Sequence, residues 1–106
     1  MSAPSVRRRP YGTAGRLVPR RARGLRAGSV ILKPGGAMPW HSTKNREELL
    51  IVLAGSVRLE VIGRAGRTRR IALPAGQSAW LAKGTEHAVA NPGARAARYV
   101  YVTGAA

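Results

Sequence analysis

From Leu25 onward the chain is a succession of short apolar runs, each closed by turn residues, and this rhythm restricts it to an all-β fold. Ser29 to Leu32 ends at Lys33-Pro34-Gly35-Gly36, and Glu48 to Leu53 ends at Ala54-Gly55-Ser56. Val57, Leu59 and Val61 then alternate with Arg58 and Glu60, which is the period of a strand with one buried face. Beyond Gly63 to Gly66, the run Arg69 to Leu73 turns at Pro74-Ala75-Gly76 into Gln77 to Leu81. Lys83-Gly84-Thr85 leads into His87 to Ala90, and Arg98 to Thr103 is the last run. No segment carries a convincing helical period, and the absence of internal repeats excludes a solenoid or propeller. Roughly seven strands at this spacing are expected to close into a barrel or a two-sheet jelly roll, since both leave few sheet edges exposed.

The 106 residues suffice for one domain with a modest core. The absence of Phe, together with 13 Gly and 7 Pro, agrees with short strands joined by many turns. There is no Cys, which rules out disulfides, thiolate metal sites and a cysteine nucleophile. Any metal has to be held by imidazole and oxygen. No apolar run is long enough to cross a bilayer, and the arginine-rich start is not followed by the apolar stretch of a secretion signal. The expectation is a soluble, cytoplasmic protein with no membrane partner.

The charge is extreme: 19 Lys and Arg face four acids, Glu47, Glu48, Glu60 and Glu86, for a formal +15. Such a field attracts nucleic acid, anionic membranes or acidic small molecules, while a composition drifted toward Arg, Ala and Gly produces the same sign with no partner in view. Residues 1–24 differ from the remainder. They hold Arg7, Arg8, Arg9, Arg16, Arg20, Arg21 and Arg23 with no acid, which reads as a basic, irregular and partly disordered N-terminal arm ahead of a domain at 25–106. Leu17 and Val18 offer a segment that can add a strand to the domain or to a partner subunit. Nucleic-acid binding through this arm is one functional expectation.

The chemistry concentrates on the two histidines of the chain, His41 and His87, each beside a turn at a strand end and near a scarce acid. A lone His is more often a core or surface residue than a ligand. Two His and Glu48 on adjacent strands can instead converge on one side of a metal and leave its other positions open. Glu47 is the alternative carboxylate, but in an extended segment it faces away from Glu48. Trp40 and Trp80 can wall a pocket mouth, with packing as the default role for each, and Tyr99 and Tyr101 share one face of the last run and can aim hydroxyls inward, with cover of a sheet or a subunit contact as the default. Lys44 and Arg46 follow His41 closely and can meet an anionic group at the rim, with solvated surface charge as the default.

The spacing then becomes specific. Gly35 precedes His41 by five intervening residues, Thr43 follows at the second position, and Glu48 and Gly55 come after four and six more. This stretch resembles the first motif of the cupin superfamily, which carries Gly, His-x-His, Glu and Gly. Gly76, Ala82, Gly84, His87 and Asn91 are similar to the second motif of that superfamily, with Gly, Pro-x-Gly, His and Asn. Two patterns in order, with flanking strands from Leu25 to the end, identify the chain as a member of the small single-domain cupins.

The resemblance implies an all-β, cupin-type jelly-roll barrel whose interior holds a divalent metal on histidines and one glutamate. It also implies pairing as a homodimer through edge strands. Thr43 stands where the family has its second His, and Ala82 where it has Pro. The hydroxyl of Thr43 can hold a metal-bound water, donate to a ligand oxygen, or fill the gap. Two readings of the site stay open: His41, Glu48 and His87 as a three-ligand set for iron, manganese, nickel or zinc beside a small-molecule ligand, or a metal-free barrel whose polar residues satisfy one another. An oxygenase or sugar-phosphate isomerase built on the same three residues is the enzymatic alternative.

Overall fold

The computed structural model describes residues 6–105. The first five residues of the basic arm and Ala106 lie outside the described residues. Nine strands follow in order: β1 (Gly15–Arg16), β2 (Leu25–Leu32), β3 (Ala37–Ser42), β4 (Arg46–Ala54), β5 (Ser56–Ile62), β6 (Thr68–Pro74), β7 (Ser78–Leu81), β8 (Glu86–Ala90) and β9 (Ala97–Ala105). The single helical element among the described residues is a 3-10 turn at Arg64–Gly66. No helix is long and apolar enough to cross a membrane.

Two antiparallel sheets form, ordered β1-β2-β9-β4-β7 and β3-β8-β5-β6. Alternation decides which residues lie between them. In β5, Val57 and Leu59 are buried while Arg58 and Glu60 on the other face pair with each other at 3.0 Å. Leu50 and Val52 of β4 and Ala97 and Tyr99 of β9 meet Val57, Leu59, Leu73 and Val89 of the opposite sheet in one core. Each fully buried Val or Leu side chain contributes about 1.5–3 kcal/mol of transfer free energy, so this cluster holds the two sheets together. The β4–β5 turn depends on Gly55, whose φ is 69° and where a Cβ would lie 2.8 Å from the Ala96 carbonyl oxygen.

Two elements differ from the sequence expectation. β2 begins at Leu25 rather than Ser29, because its ladder with β9 runs unbroken from Leu25↔Gly104 to Leu32↔Ala97. β3 is not visible as an apolar run, since it contains Pro39 and its register with β8 shifts between Met38 and His41. Both features are tolerated at a sheet edge, where one side of the strand needs no ladder partner.

Part of the arm is ordered against the barrel. Gly15 and Arg16 pair with Ser29 and Gly28, and the Leu17 N–H donates to the Ala27 carbonyl at 2.9 Å. The Ser29 hydroxyl donates to the Tyr11 carbonyl at 2.8 Å, and Arg98 Nη1 donates to that of Gly12 at 3.2 Å. The chain then turns, with Ala22 N–H donating to Pro19 O, before entering β2. The added strand lies on this domain, just ahead of Leu17 and Val18.

Candidate metal centre

β3 and β8 pair so that His41 and His87 are direct cross-strand partners, with ring centroids 4.2 Å apart. Both rings are pinned alike. His41 Nδ1 lies 2.7 Å from the Pro39 carbonyl oxygen, and His87 Nδ1 lies 3.0 Å from that of Thr85. A carbonyl only accepts, so the network assigns a proton to each Nδ1 and leaves each Nε2, in the neutral ring, free to act as a ligand. Carbonyl support of this kind fixes ring orientation in metal-binding histidines.

Glu48 enters from β4 in the other sheet and brings Oε2 to 3.3 Å from His87 Nε2. One ligand atom from each of His41, Glu48 and His87 lies within 4.8 Å of the others. Bonds of about 2.0–2.2 Å put any two ligand atoms of one ion at most about 4.4 Å apart, so small side-chain rotations bring all three onto a common ion. The His87 side chain is 0 % exposed and that of Glu48 11 %, whereas His41 faces solvent.

Despite its closeness to the carboxylate, His87 Nε2 has no partner in hydrogen-bonding geometry. The contact is therefore electrostatic and poorly directed, and it leaves a buried ring nitrogen short of a partner. Burial pushes the His87 pKa down. The Glu48 carboxylate, the Thr85 carbonyl and the charge of Glu86 push it up, and the balance lies above the ordinary 6.5.

A cavity of about 840 Å³ includes all three residues and is lined also by Met38, Val89, Tyr99 and Tyr101. Tyr99 is 2 % exposed, and burial, then the charge of Glu48 and the neighbouring Tyr101, raise its pKa far above the ordinary value. Its hydroxyl stays protonated and able to donate. Tyr101 packs over Gly28 on the paired strand, where a Cβ would come to 2.5 Å from the phenol oxygen.

A family model for the cupin domain matches residues 28–103, most of the chain. This chain is a cupin. No curated protein matches it significantly. Among solved structures, an oxalate oxidase is similar to this cupin at TM-score 0.72 and 22 % identity, over 77 % of this chain and 42 % of that one. The cupin domain of Cnp3 from Schizosaccharomyces pombe gives 0.73 and 19 %, over 88 % and 64 %. TT1209 from Thermus thermophilus gives 0.72 and 23 %, over 94 % and 90 %. At these identities the likeness shows the fold alone, and the chain spans less than half the length of the oxalate oxidase.

Thr43, at the position of the second histidine in the cupin motif, lines the cavity, but its hydroxyl is committed elsewhere. It donates to the Ala82 carbonyl at 2.9 Å and accepts from the Thr85 N–H at 2.9 Å, while the Thr43 N–H donates to the Thr85 carbonyl. Thr43 thus staples the loop after β3 to the loop before β8. Asn91 of the second motif is also structural, with its amide donating to the Leu32 and Arg95 carbonyls and its oxygen accepting from the Gly93 N–H.

The tryptophans lie away from the site. Trp40 and Trp80 are 44 % and 65 % exposed and neither lines the cavity. Trp80 Nε1 donates to Glu47 Oε1 at 3.0 Å, so Glu47 belongs to the outer face, and Glu48 is the carboxylate that groups with the two histidines. Sequence reasoning missed Met38, Thr103 and the arm residues Arg16, Arg20 and Arg23, all of which line the cavity of this cupin. Leu17 and Val18 point to a strand added by the arm, but nothing in the sequence signals that its arginines line this cavity.

Proposed function

We propose that this cupin binds a divalent transition metal through His41, Glu48 and His87 and takes a small polar ligand into the cavity beside it. The observation that carries the reading is the buried His87 Nε2, unpaired and grouped with the His41 ring and the Glu48 carboxylate. Two imidazoles and one carboxylate, with no thiolate in the chain, suit iron, manganese, nickel or zinc. Such an ion, when bound, supplies Lewis acidity and open coordination positions.

The chain's own residues do the remainder. The Pro39 and Thr85 carbonyls hold the two rings in the ligating tautomer. Tyr99 presents a neutral hydroxyl that can donate to a ligand oxygen, and Met38 and Val89 keep part of the wall dry. An oxalate oxidase of the same fold supports a small polar occupant for such a barrel.

Elemental analysis of protein purified without chelator tests this. Near-stoichiometric metal is expected in the wild type, falling at least about tenfold in His41→Ala and His87→Ala while circular dichroism retains the β signature. A wild type that carries no metal and takes up no added iron, manganese, nickel or zinc overturns the metal reading.

A further inference from the structure

Six cationic side chains line the cavity that holds His41, Glu48 and His87: Arg16, Arg20 and Arg23 from the arm, and Arg26, Lys44 and Arg46 from the barrel. The single acid among the lining residues is Glu48, which faces His87. Among the described residues the acids lie close to other partners, Glu60 to Arg58 and Arg70 and Glu48 to the His87 ring, so none of the six cations is neutralised by a side chain. Exposed arginines are usually scattered so that water and opposite charges surround each one. Here the backbone holds them around one opening.

Arg16 sits in a strand pairing opposite Gly28, and the chain on either side is fixed by the bonds to Tyr11, Gly12 and Leu17. Arg46 is aimed by its own bonds, Nε to Thr103 Oγ1 at 2.9 Å and Nη2 to the Thr103 carbonyl at 3.1 Å, which leave the other guanidinium N–H groups available. Like charges brought together by an ordered backbone repel, and a bound anion relieves that repulsion while accepting charge-assisted, often bidentate, hydrogen bonds.

We infer that the N-terminal arm completes the ligand site, with Arg16, Arg20 and Arg23 joining Arg26 and Arg46 in a cationic rim that selects a small organic anion carrying carboxylate or phosphate oxygens. This rests on reading the cavity as a ligand site and is independent of whether metal is present. It assigns the arm a role in small-molecule selection instead of nucleic-acid binding, and it makes the occupant acidic as well as polar.

The test uses the full chain and isothermal titration at low ionic strength, with succinate and inorganic phosphate as anionic probes and erythritol as the neutral one, before and after chelator treatment. The triple variant Arg16→Gln, Arg20→Gln, Arg23→Gln is compared with Arg7→Gln, Arg8→Gln, Arg9→Gln, which removes equal charge from the same arm away from this cavity. Loss of charge-assisted bonds predicts that the first triple binds the preferred anion about tenfold or more weakly, and the second less than about twofold. Whether succinate or phosphate is preferred identifies the oxyanion. The single variant Arg23→Gln, expected to lose affinity in the same direction, serves if the triple melts early.

Equal losses in both triples would reduce the effect to bulk charge and overturn the rim, as would no loss in either. The rim also falls if single-stranded oligoadenylate binds more tightly than either anion and weakens equally in both triples. Chelator-treated protein that still needs the three arginines for succinate upholds the rim even if no metal is found. Metal-loaded wild type that binds neither anion overturns the rim and leaves the metal centre standing.

Discussion

The two halves of the barrel are built from the same strands and do opposite things. On β4 the inward positions pass from Glu48 to Leu50 and Val52, and on β9 from Thr103 through Tyr101 and Tyr99 to Ala97. On β8 they pass from His87 to Val89. At one end the strands bury aliphatic side chains, with Leu50, Val52 and Val57 each 1 % exposed and Leu59 2 %. At the other they gather imidazoles, a carboxylate and phenols, with the buried His87 Nε2 left short of a hydrogen-bond partner. The closed half supplies stability, and the open half spends some of it holding His87 Nε2 unpaired in a fixed arrangement.

The comparison predicts different costs for equal truncations. Leu59→Ala empties a position in the closed half, and a loss of about 2–5 kcal/mol in urea unfolding is expected. His87→Ala, measured on the metal-free protein, is expected to cost less because the ring nitrogen it removes is poorly partnered. A larger loss for His87→Ala than for Leu59→Ala would show that the polar end is a structural network instead of a poised site.

Thr43 sharpens the boundary between the halves. Thr43→Val keeps the shape but leaves the half-buried Thr85 N–H without its acceptor and the Ala82 carbonyl short of one donor, which predicts a loss of about 1–3 kcal/mol with metal content unchanged. Unchanged stability with metal reduced tenfold would return Thr43 to the ligand set. A smaller effect is expected at Gly28, whose position faces Tyr101. Overpacking by Gly28→Ala costs about 1–3 kcal/mol, offset by about 0.5–1 kcal/mol from the stiffer strand residue. A net loss of about 1 kcal/mol with a displaced Tyr101 resonance in the NMR spectrum is the expected result.

The halves also differ in how far they can be read from sequence. The closed half is written in local alternation, as in Val57, Leu59 and Val61 against Arg58 and Glu60, and needs no knowledge of partners. The triad of the open half is legible for another reason: His41, Glu48 and His87 keep a spacing that only a strand-and-turn register turns into proximity. Features that depend on distant main-chain atoms are not legible. The Thr43 hydroxyl answers to the Ala82 carbonyl, the arm is fixed by the Ser29 hydroxyl and the Ala27 carbonyl, and the break in β3 follows from a bulge opposite β8. Trp80 lies near a motif, but its strand is a sheet edge and its indole N–H donates to Glu47, a contact that spacing does not reveal.

The mildest way to probe the open half is its alkaline titration. Burial and the nearby Glu48 charge raise the Tyr99 pKa well above 10.0, which means the folded state resists losing a proton that the unfolded chain gives up more easily. Stability from this group is fully present below pH 10 and is lost as pH climbs from there toward the folded value, because the unfolded state then releases more protons. Absorbance of tyrosinate should therefore show one of the 3 tyrosines silent until the fold gives way, and Tyr99→Phe should remove that late component. If the native protein ionises all its tyrosines in one early step, Tyr99 is open to water. The boundary between the dry and the polar halves then lies deeper in the barrel than Val52, its direct partner on β4.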